Sequence, residues 1–155
     1  NPHNAGLYIL SGAFYEKKQD WDHAKSMYQQ ALSVSPDHPL ASNNLAYLML
    51  HQGGNVDVAL AMAQTARRGE PDSANFADTL GWAYYQKGNY DSARDLLEDA
   101  AKADPNSASI HYHLGMTYVK LSRNTDAATQ LKKAVSLAPN TPTAKDAQKA
   151  LDLLR

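Results

Sequence analysis

Prolines recur along this chain at a nearly constant interval. They are Pro36, Pro71, Pro105 and Pro139, and successive members lie 35, 34 and 34 residues apart. A small residue stands 24 or 25 positions before each proline, and these residues are Gly12, Ala46, Gly81 and Gly115. A fixed period of this length is typical of repeated structural units, each of which buries its apolar side by stacking on a neighbour.

Each repeat is predicted to hold two amphipathic helices. Hydrophobic residues make up 43% of the chain, and alanine and leucine dominate over valine and isoleucine, which favours helix over strand. Polar turns such as KGNY at 87–90 separate the two helices. Small residues let the paired helices approach closely, and the proline ends the second helix because it cannot continue the hydrogen-bond ladder.

The third and fourth repeats carry the clearest pattern. In the third repeat the pattern consists of Leu80, Gly81, Tyr84, Ala93, Leu97, Ala100 and Pro105. In the fourth it consists of Leu114, Gly115, Tyr118, Ala127, Leu131, Ala134 and Pro139. These residues resemble the tetratricopeptide repeat, and the resemblance covers roughly residues 5–141. The first repeat departs from the pattern at Ser11, where the family has leucine, and the second has one inserted residue in its GGN turn at 53–55.

The resemblance implies an all-α fold, a right-handed α-solenoid of four helix pairs plus a C-terminal capping helix. The expected repeats of this single array span about 5–38, 39–73, 74–107 and 108–141, and the cap spans 142–155. The apolar stripe of the cap is made by Ala147, Ala150, Leu151 and Leu154. Pro2 lies 34 residues before Pro36, where a preceding repeat would end, so we expect the array to be cut from a longer one.

Residues 78–93, DTLGWAYYQKGNYDSA, place three aromatic residues almost side by side. At about 100° per residue, Tyr84 falls on the arc that faces the partner helix, whereas Trp82 and Tyr85 fall on a second arc roughly 130° away. The resemblance implies that this second arc lines the concave surface of the solenoid. We therefore expect Tyr84 in the core and the other two rings in a groove.

The second arc is rich in aromatic and amide side chains from the second repeat to the fourth. Aromatic residues are common interface anchors because they bury a large area at low rotamer cost. The predicted partner-binding residues are Asn43, Asn44, Tyr47, Asp78, Trp82, Tyr85, Gln86, Tyr112, His113, Met116 and Lys120. The alternative interpretation is that these rings pack against the next repeat. Asp78 could pair with a basic ligand residue or cap a local backbone group.

The predicted function is that of a protein–protein interaction scaffold, and the predicted partner is a protein or peptide segment. The best-known peptide site of the family grips a C-terminal carboxylate with lysine, asparagine and arginine. Here Asn43 and Asn44 are present, but tyrosine, aspartate and methionine replace the basic residues, so that site is not supported. An extended segment or a helix with apolar side chains, held by these amides and Gln86, fits better.

Self-assembly is the alternative function. In this hypothesis the apolar residues Leu7, Tyr8 and Leu10 at the N-terminal edge pair with another copy. Binding of nucleic acid is a further possibility, because the C-terminal third is basic, but no regular code of the kind that reads RNA is visible. The residues that give this basic bias include Lys120, Arg123, Lys132, Lys133, Lys145 and Lys149.

The sequence predicts no catalytic site, metal site or cofactor. The chain contains no cysteine, and its net charge is −1. His111 and His113 stand two apart on a helix, so their side chains diverge by roughly 160° and cannot share a metal alone. An enzyme hypothesis would require a fused upstream domain. Because no apolar run of about 18 residues is present, no membrane insertion is predicted.

A narrower resemblance concerns two phrases, SNNLAYLML at 42–50 and FADTLGWAYYQKG at 76–88. They look like phrases of bacterial repeat arrays associated with exopolysaccharide export and extracellular protein sorting. This resemblance implies a periplasmic or envelope-associated assembly factor, and without it a cytoplasmic location remains open.

Overall fold

The computed structural model describes residues 4–154, and within them it contains nine helices and no strand. The helices are α1 (Ala5–Lys17), α2 (Trp21–Val34), α3 (Pro39–His51), α4 (Val56–Gly69), α5 (Ala74–Gln86), α6 (Tyr90–Ala103), α7 (Ala108–Lys120), α8 (Asn124–Leu137) and α9 (Pro142–Asp152). The predicted all-α fold of stacked helix pairs is confirmed. Pro2 lies outside the described residues, so a preceding repeat stays a prediction.

The helices form two compact units, Asn1–Asp72 and Ser73–Arg155. In the N-terminal unit, α1 pairs with α2, α3 pairs with α4, and α2 packs against α3. In the C-terminal unit, α5 pairs with α6 and α7 pairs with α8, while α7 also contacts α5, α6 and α9. The candidate site in the C-terminal unit is built around α7 because this helix touches all four of its neighbours.

Local sequence signals explain where the helices begin and end. Side-chain oxygens cap most of them; for example, Ser73 Oγ accepts a hydrogen bond from the backbone N–H of Phe76. The second helix of each pair ends two residues before one of the repeating prolines, as α6 does at Ala103 before Pro105. The residue before a proline avoids the helical conformation, so the period of the prolines sets the period of the helix ends.

The turn inside each helix pair uses one left-handed residue. Gly53 and Gly88 have φ values of 73° and 78°, which glycine adopts without steric cost. Gln19 and Ser122 occupy the corresponding places in the other two pairs with φ values of 59° and 58°. The backbone turn is therefore shared by all four pairs although the residue is glycine in only two.

Close packing within the helix pairs explains the recurring small residues. A Cβ atom built on Gly115 would lie 2.7 Å from Cγ of Leu131, and one on Gly81 would lie 2.7 Å from Cγ of Leu97. Leu131 and Leu97 are fully buried, so neither can swing out of the way. Glycine is required at these places because the facing leucine occupies the space where a side chain would begin.

Candidate partner-binding surface

The predicted partner-binding residues are divided between the two compact units. Those on α3 belong to the N-terminal unit and those on α5 and α7 to the C-terminal unit. In the N-terminal unit Asn43 is buried, and its Nδ2 donates to Oδ1 of Asn44 over 3.4 Å. Tyr47 is half-buried, and its ring lies 4.2 Å from that of His51. This unit places one aromatic pair and one amide on its part of the predicted surface.

The C-terminal unit assembles a larger group of rings, which we call the aromatic cluster: Trp82, Tyr85, Tyr90, Tyr112 and His113. The indole of Trp82 stacks on Tyr85 with a centroid distance of 4.3 Å and on His113 with a distance of 4.2 Å. Tyr112 lies beside Trp82 at 6.2 Å, and Tyr90 meets Tyr85 edge to face at 5.5 Å. The cluster therefore joins α5, the start of α6 and α7.

One end of this stack is fixed by a buried polar pair. Nδ1 of His113 lies 2.7 Å from Oδ1 of Asp78, and the two side chains are almost completely buried. The hydroxyl of Ser109 donates to the other carboxylate oxygen of Asp78 over 3.2 Å. Both carboxylate oxygens of Asp78 are thus engaged by side chains of α7, and Asp78 holds α7 against α5 through His113.

The burial of His113 differs from the expectation that it borders an open groove. Only 2% of its surface is exposed, because Trp82 covers one side and Asp78 accepts from its ring. The helical wheel gives the direction of a side chain from its own helix but not what the neighbouring helix places in front of it. At this position α5 supplies both a ring and a carboxylate.

The remaining predicted residues lie at the margins of the cluster. Met116 and Tyr112 pack against the buried cluster that α8 and α9 form around Leu131 and Leu151, while Gln86 and Lys120 are exposed. Burial raises the pKa of Tyr112, and the carboxylate of Asp146 raises it further. Burial also raises the pKa of Tyr85, with smaller contributions from Tyr90 and Tyr112. At neutral pH both hydroxyls therefore keep their protons and are able to donate a hydrogen bond.

Two members of the site, Ser109 and Tyr90, were not among the residues predicted from the sequence. Ser109 occupies the second position of its helix, on the same arc as Trp82 and Tyr85, and this spacing was a usable signal. Tyr90 begins α6 directly after the turn, where a helical wheel drawn for α5 does not include it. Tyr84, expected in the core, is only half-buried and packs at the edge of the core around Leu97 and Leu114.

The C-terminal unit also carries a groove of about 450 Å³ that is lined by residues of α6, α7 and α8 and by none of the aromatic cluster. His111 lies at its floor, with Nδ1 2.7 Å from Oε1 of Gln130 and Nε2 3.0 Å from the backbone oxygen of Pro105. Both ring nitrogens are thereby engaged by the protein. Among the described residues, no group of three potential ligands could hold a metal ion, and no helix has the length and apolarity to cross a membrane.

Comparison with family models gives two matches, each described as tetratricopeptide repeat. One model matches residues 15–83 and the other matches residues 79–144. Among curated proteins, the BBSome complex member BBS4 of Xenopus tropicalis is 32% identical over 88 residues, which is 50% of this chain. The chain matches 17% of the length of that protein.

Solved structures share the fold over nearly the whole chain. The thermophilic TPR protein TTC0263 of Thermus thermophilus superposes with a TM-score of 0.81 and 26% identity, covering 97% of this chain and 82% of the other. YrrB, a TPR protein with an unusual peptide-binding site, gives a TM-score of 0.70 and 23% identity, covering 95% and 75%. These matches do not show the narrower resemblance to exopolysaccharide-export arrays.

Proposed function

This chain belongs to the tetratricopeptide repeat family of helical-repeat solenoids, and from that premise we propose that it binds a partner segment on the aromatic cluster. The repeat fold supports the general function of a protein–protein interaction scaffold. The location of the binding surface is our proposal. It rests on one observation: four large rings remain partly exposed around a core that is already closed beneath them.

The physical support comes from the combination of exposure and rigidity. Trp82, Tyr85, Tyr90 and Tyr112 are all half-buried, so part of each residue stays in contact with water. Their mutual stacking and the Asp78–His113 pair fix the rings before any partner arrives. A surface ordered in advance loses little conformational entropy on binding, which is the property of an interface anchor.

The alternative interpretation, packing against the next repeat, describes part of the same surface. Trp82 stacks on His113 of the following helix pair, and Met116 packs against the buried cluster shared by α8 and α9. Packing alone, however, leaves unexplained why the outward parts of these rings are aromatic and exposed rather than polar. Polar groups are the usual choice for a surface that meets only water.

The test compares partner capture by the parent chain and by a Trp82→Ala/Tyr85→Ala variant. We expect the variant to lose a partner that the parent retains, because both rings of the stack are removed. Val58→Ala is the control, since it removes exposed apolar surface from α4, outside both the aromatic cluster and the apolar face of α1. Circular dichroism must show that both variants keep the helical content of the parent. Identical capture by all three proteins would reject the aromatic cluster as the binding surface.

A second candidate function is self-assembly, which one observation favours. Leu7, Leu10 and Phe14 form one face of α1 and are between 49% and 69% exposed. On α7, the residues at the matching positions are buried against the preceding helices of the C-terminal unit. Tyr8, expected on the same face, instead packs partly against the core of the N-terminal unit.

Sedimentation over a concentration series tests self-assembly. We expect the average mass of the parent to rise with concentration, whereas Leu10→Lys should remain monomeric because it places a charge in the apolar face. Leu153→Lys, which changes an exposed leucine at the end of α9, is the control and should behave as the parent does. A constant monomer mass for the parent would remove this candidate. A role in the bacterial envelope stays a prediction from the phrases at 42–50 and 76–88.

A further inference from the structure

We propose that the aromatic cluster takes a proline-rich partner segment in the polyproline II conformation. This inference rests on the proposed function, since it names the chemistry of the partner at the same surface. It follows from three features of the cluster: which ring surfaces are still free, which hydrogen-bonding groups remain unused, and which charges are already paired.

The ring surface still in contact with solvent belongs to Trp82 and three tyrosines, Tyr85, Tyr90 and Tyr112, each of which is half-buried. Tyr85 and His113 both stack on the indole of Trp82, at interplanar angles of 9° and 19°. Because two rings of the protein already occupy indole face, less of that face is open to the cation–π recognition of a partner cation. The indole also carries Nε1–H at its edge, which is a group that a partner can use.

The unused polar groups are all donors. Within residues 4–154, neither Nε1 of Trp82 nor the hydroxyls of Tyr85, Tyr90 and Tyr112 form a hydrogen bond to the protein. An indole N–H donates only, and a protonated phenol donates one hydrogen. A partner that fills this surface must therefore supply acceptors next to its apolar groups, because a donor buried without an acceptor weakens the complex.

The carboxylate nearest the centre of the cluster is already engaged. Asp78 accepts from His113 and from Ser109 and is 4% exposed, so a basic residue of the partner has no access to it. The cluster itself carries aromatic groups rather than a set of basic ones, which leaves a partner carboxylate without a clamp. A neutral partner segment is favoured.

The conformation of the segment follows from the donors. A helical partner uses its own carbonyl oxygens in internal hydrogen bonds, so its backbone offers few acceptors to this surface. A polyproline II segment has no internal hydrogen bonds, and its carbonyl groups point outward along its length. Proline rings also pack well on aromatic side chains, and proline has no N–H that would need an acceptor in return.

The experiment follows the indole N–H resonances of the full chain during titration with a blocked polyproline peptide of about ten residues, roughly 31 Å long when extended in this conformation. The chain has two tryptophans, so the spectrum contains two such signals, and Trp21 in the other unit serves as an internal control. Trp21→Phe assigns the signals. We expect the Trp82 signal to move on titration to about 1 mM and the Trp21 signal to stay.

Two conservative variants test the donors. Trp82→Phe keeps a stacked ring and removes the N–H, while Tyr112→Phe removes only a hydroxyl; each should weaken binding by about fivefold to tenfold, measured by calorimetry. Unchanged circular dichroism separates this loss from misfolding. Full affinity in both variants would contradict the assigned role of the donors.

Control peptides of the same length distinguish this inference from the proposed function. A helix-forming peptide built from alanine, glutamate and lysine, and a flexible glycine–serine peptide, should leave the Trp82 signal in place. Movement with the helical peptide and not with polyproline would overturn the polyproline II inference while leaving binding at the cluster intact. No movement with any peptide would also overturn it, and the double variant of Trp82 and Tyr85 would then decide the proposed function separately.

Discussion

At the scale of single residues, glycine in the first helix of a pair is matched to a large residue in the second. Gly12 faces Tyr28, Gly81 faces Leu97, and Gly115 faces Leu131. In the remaining pair both positions are alanine, Ala46 and Ala63. The chain thus contains two solutions to the same packing problem, glycine with a large partner or alanine with alanine.

The effect of Gly115→Ala on the free energy of unfolding should therefore depend on the residue at position 131, and it should be destabilising only when that residue is leucine. In the parent the added Cβ meets Leu131 at 2.7 Å, and we expect a loss of about 1–2 kcal/mol in the free energy of unfolding. In a Leu131→Ala background the clash is gone, and the higher helix propensity of alanine should make the same change neutral or stabilising by up to about 1 kcal/mol. Chemical denaturation of the four proteins of this cycle measures the coupling.

Gly54→Ala offers a contrast outside the helix pairs, since its contact is with Met49 at 3.0 Å rather than with a residue across the pair. The effect of Gly54→Ala on the free energy of unfolding should be the same with leucine or alanine at position 131. Additive effects of Gly115→Ala and Leu131→Ala, within about 0.5 kcal/mol, would contradict the packing argument.

The candidate site could be predicted only in part, because helical periodicity describes one helix at a time. It placed Trp82 and Tyr85 on the same side of α5, and the two rings do stack. It could not predict that His113 is buried, since that depends on Asp78 and Trp82 of a different helix. Whether the cluster binds a partner stays a prediction.

At the scale of helices and turns, most of the fold was predictable because each boundary has a local cause. Proline ends the second helix of a pair, and a glycine turn joins the two helices at Gly53 and Gly88. Gln19 and Ser122 adopt the same left-handed backbone without being glycine. At these two positions the packing of the helix pair imposes the left-handed conformation, although a residue with a Cβ atom disfavours it. The sequence therefore predicts these two turns less clearly than the two that contain glycine.

The contact between α6 and α7 includes a hydrogen bond that should make stability depend on alkaline pH. The hydroxyl of Tyr118 donates to Glu98 over 2.6 Å, and burial, followed by this hydrogen bond, raises the pKa of Tyr118 from 10.0 to about 12. Because the folded state holds this proton more tightly than the unfolded state, the stabilisation is complete below pH 10 and is lost as the pH rises towards 12.

Tyr118→Phe should be less stable than the parent at neutral pH but less sensitive to alkaline pH. At neutral pH we expect it to be less stable than the parent by about 1–2 kcal/mol, because the hydrogen bond to a carboxylate is lost. Between pH 10 and 12 it should lose less stability than the parent, so the two curves converge. Urea denaturation at a series of pH values measures this. If the free energies of unfolding of the two proteins fell in parallel between pH 10 and 12, ionisation of Tyr118 would not be the cause of the loss of stability.

At the scale of the whole molecule, charge distinguishes the proposed scaffold from a nucleic-acid-binding protein. The chain has a formal net charge of −1; basic residues outnumber acidic ones by seven to three after residue 105, and acidic residues outnumber basic ones by eight to three between 70 and 104. The rings of the aromatic cluster are themselves uncharged, its buried carboxylate Asp78 is paired to His113, and the nearby Asp146 is paired to Lys149. Association at this surface should depend on apolar contact and hydrogen bonds rather than on long-range attraction.

Partner binding should consequently change by less than about threefold between roughly 50 and 500 mM salt, because screening acts on exposed charges and leaves apolar burial intact. Binding through six or more phosphate contacts would instead weaken by about a thousandfold or more between 50 and 200 mM. Capture of the partner at several salt concentrations, with Lys132→Ala/Lys133→Ala as the charge variant and Trp82→Ala as the cluster variant, measures the difference. A steep salt dependence together with loss in the lysine variant would move the binding surface to the basic C-terminal third, whereas a flat dependence with loss in the Trp82 variant keeps it on the aromatic cluster.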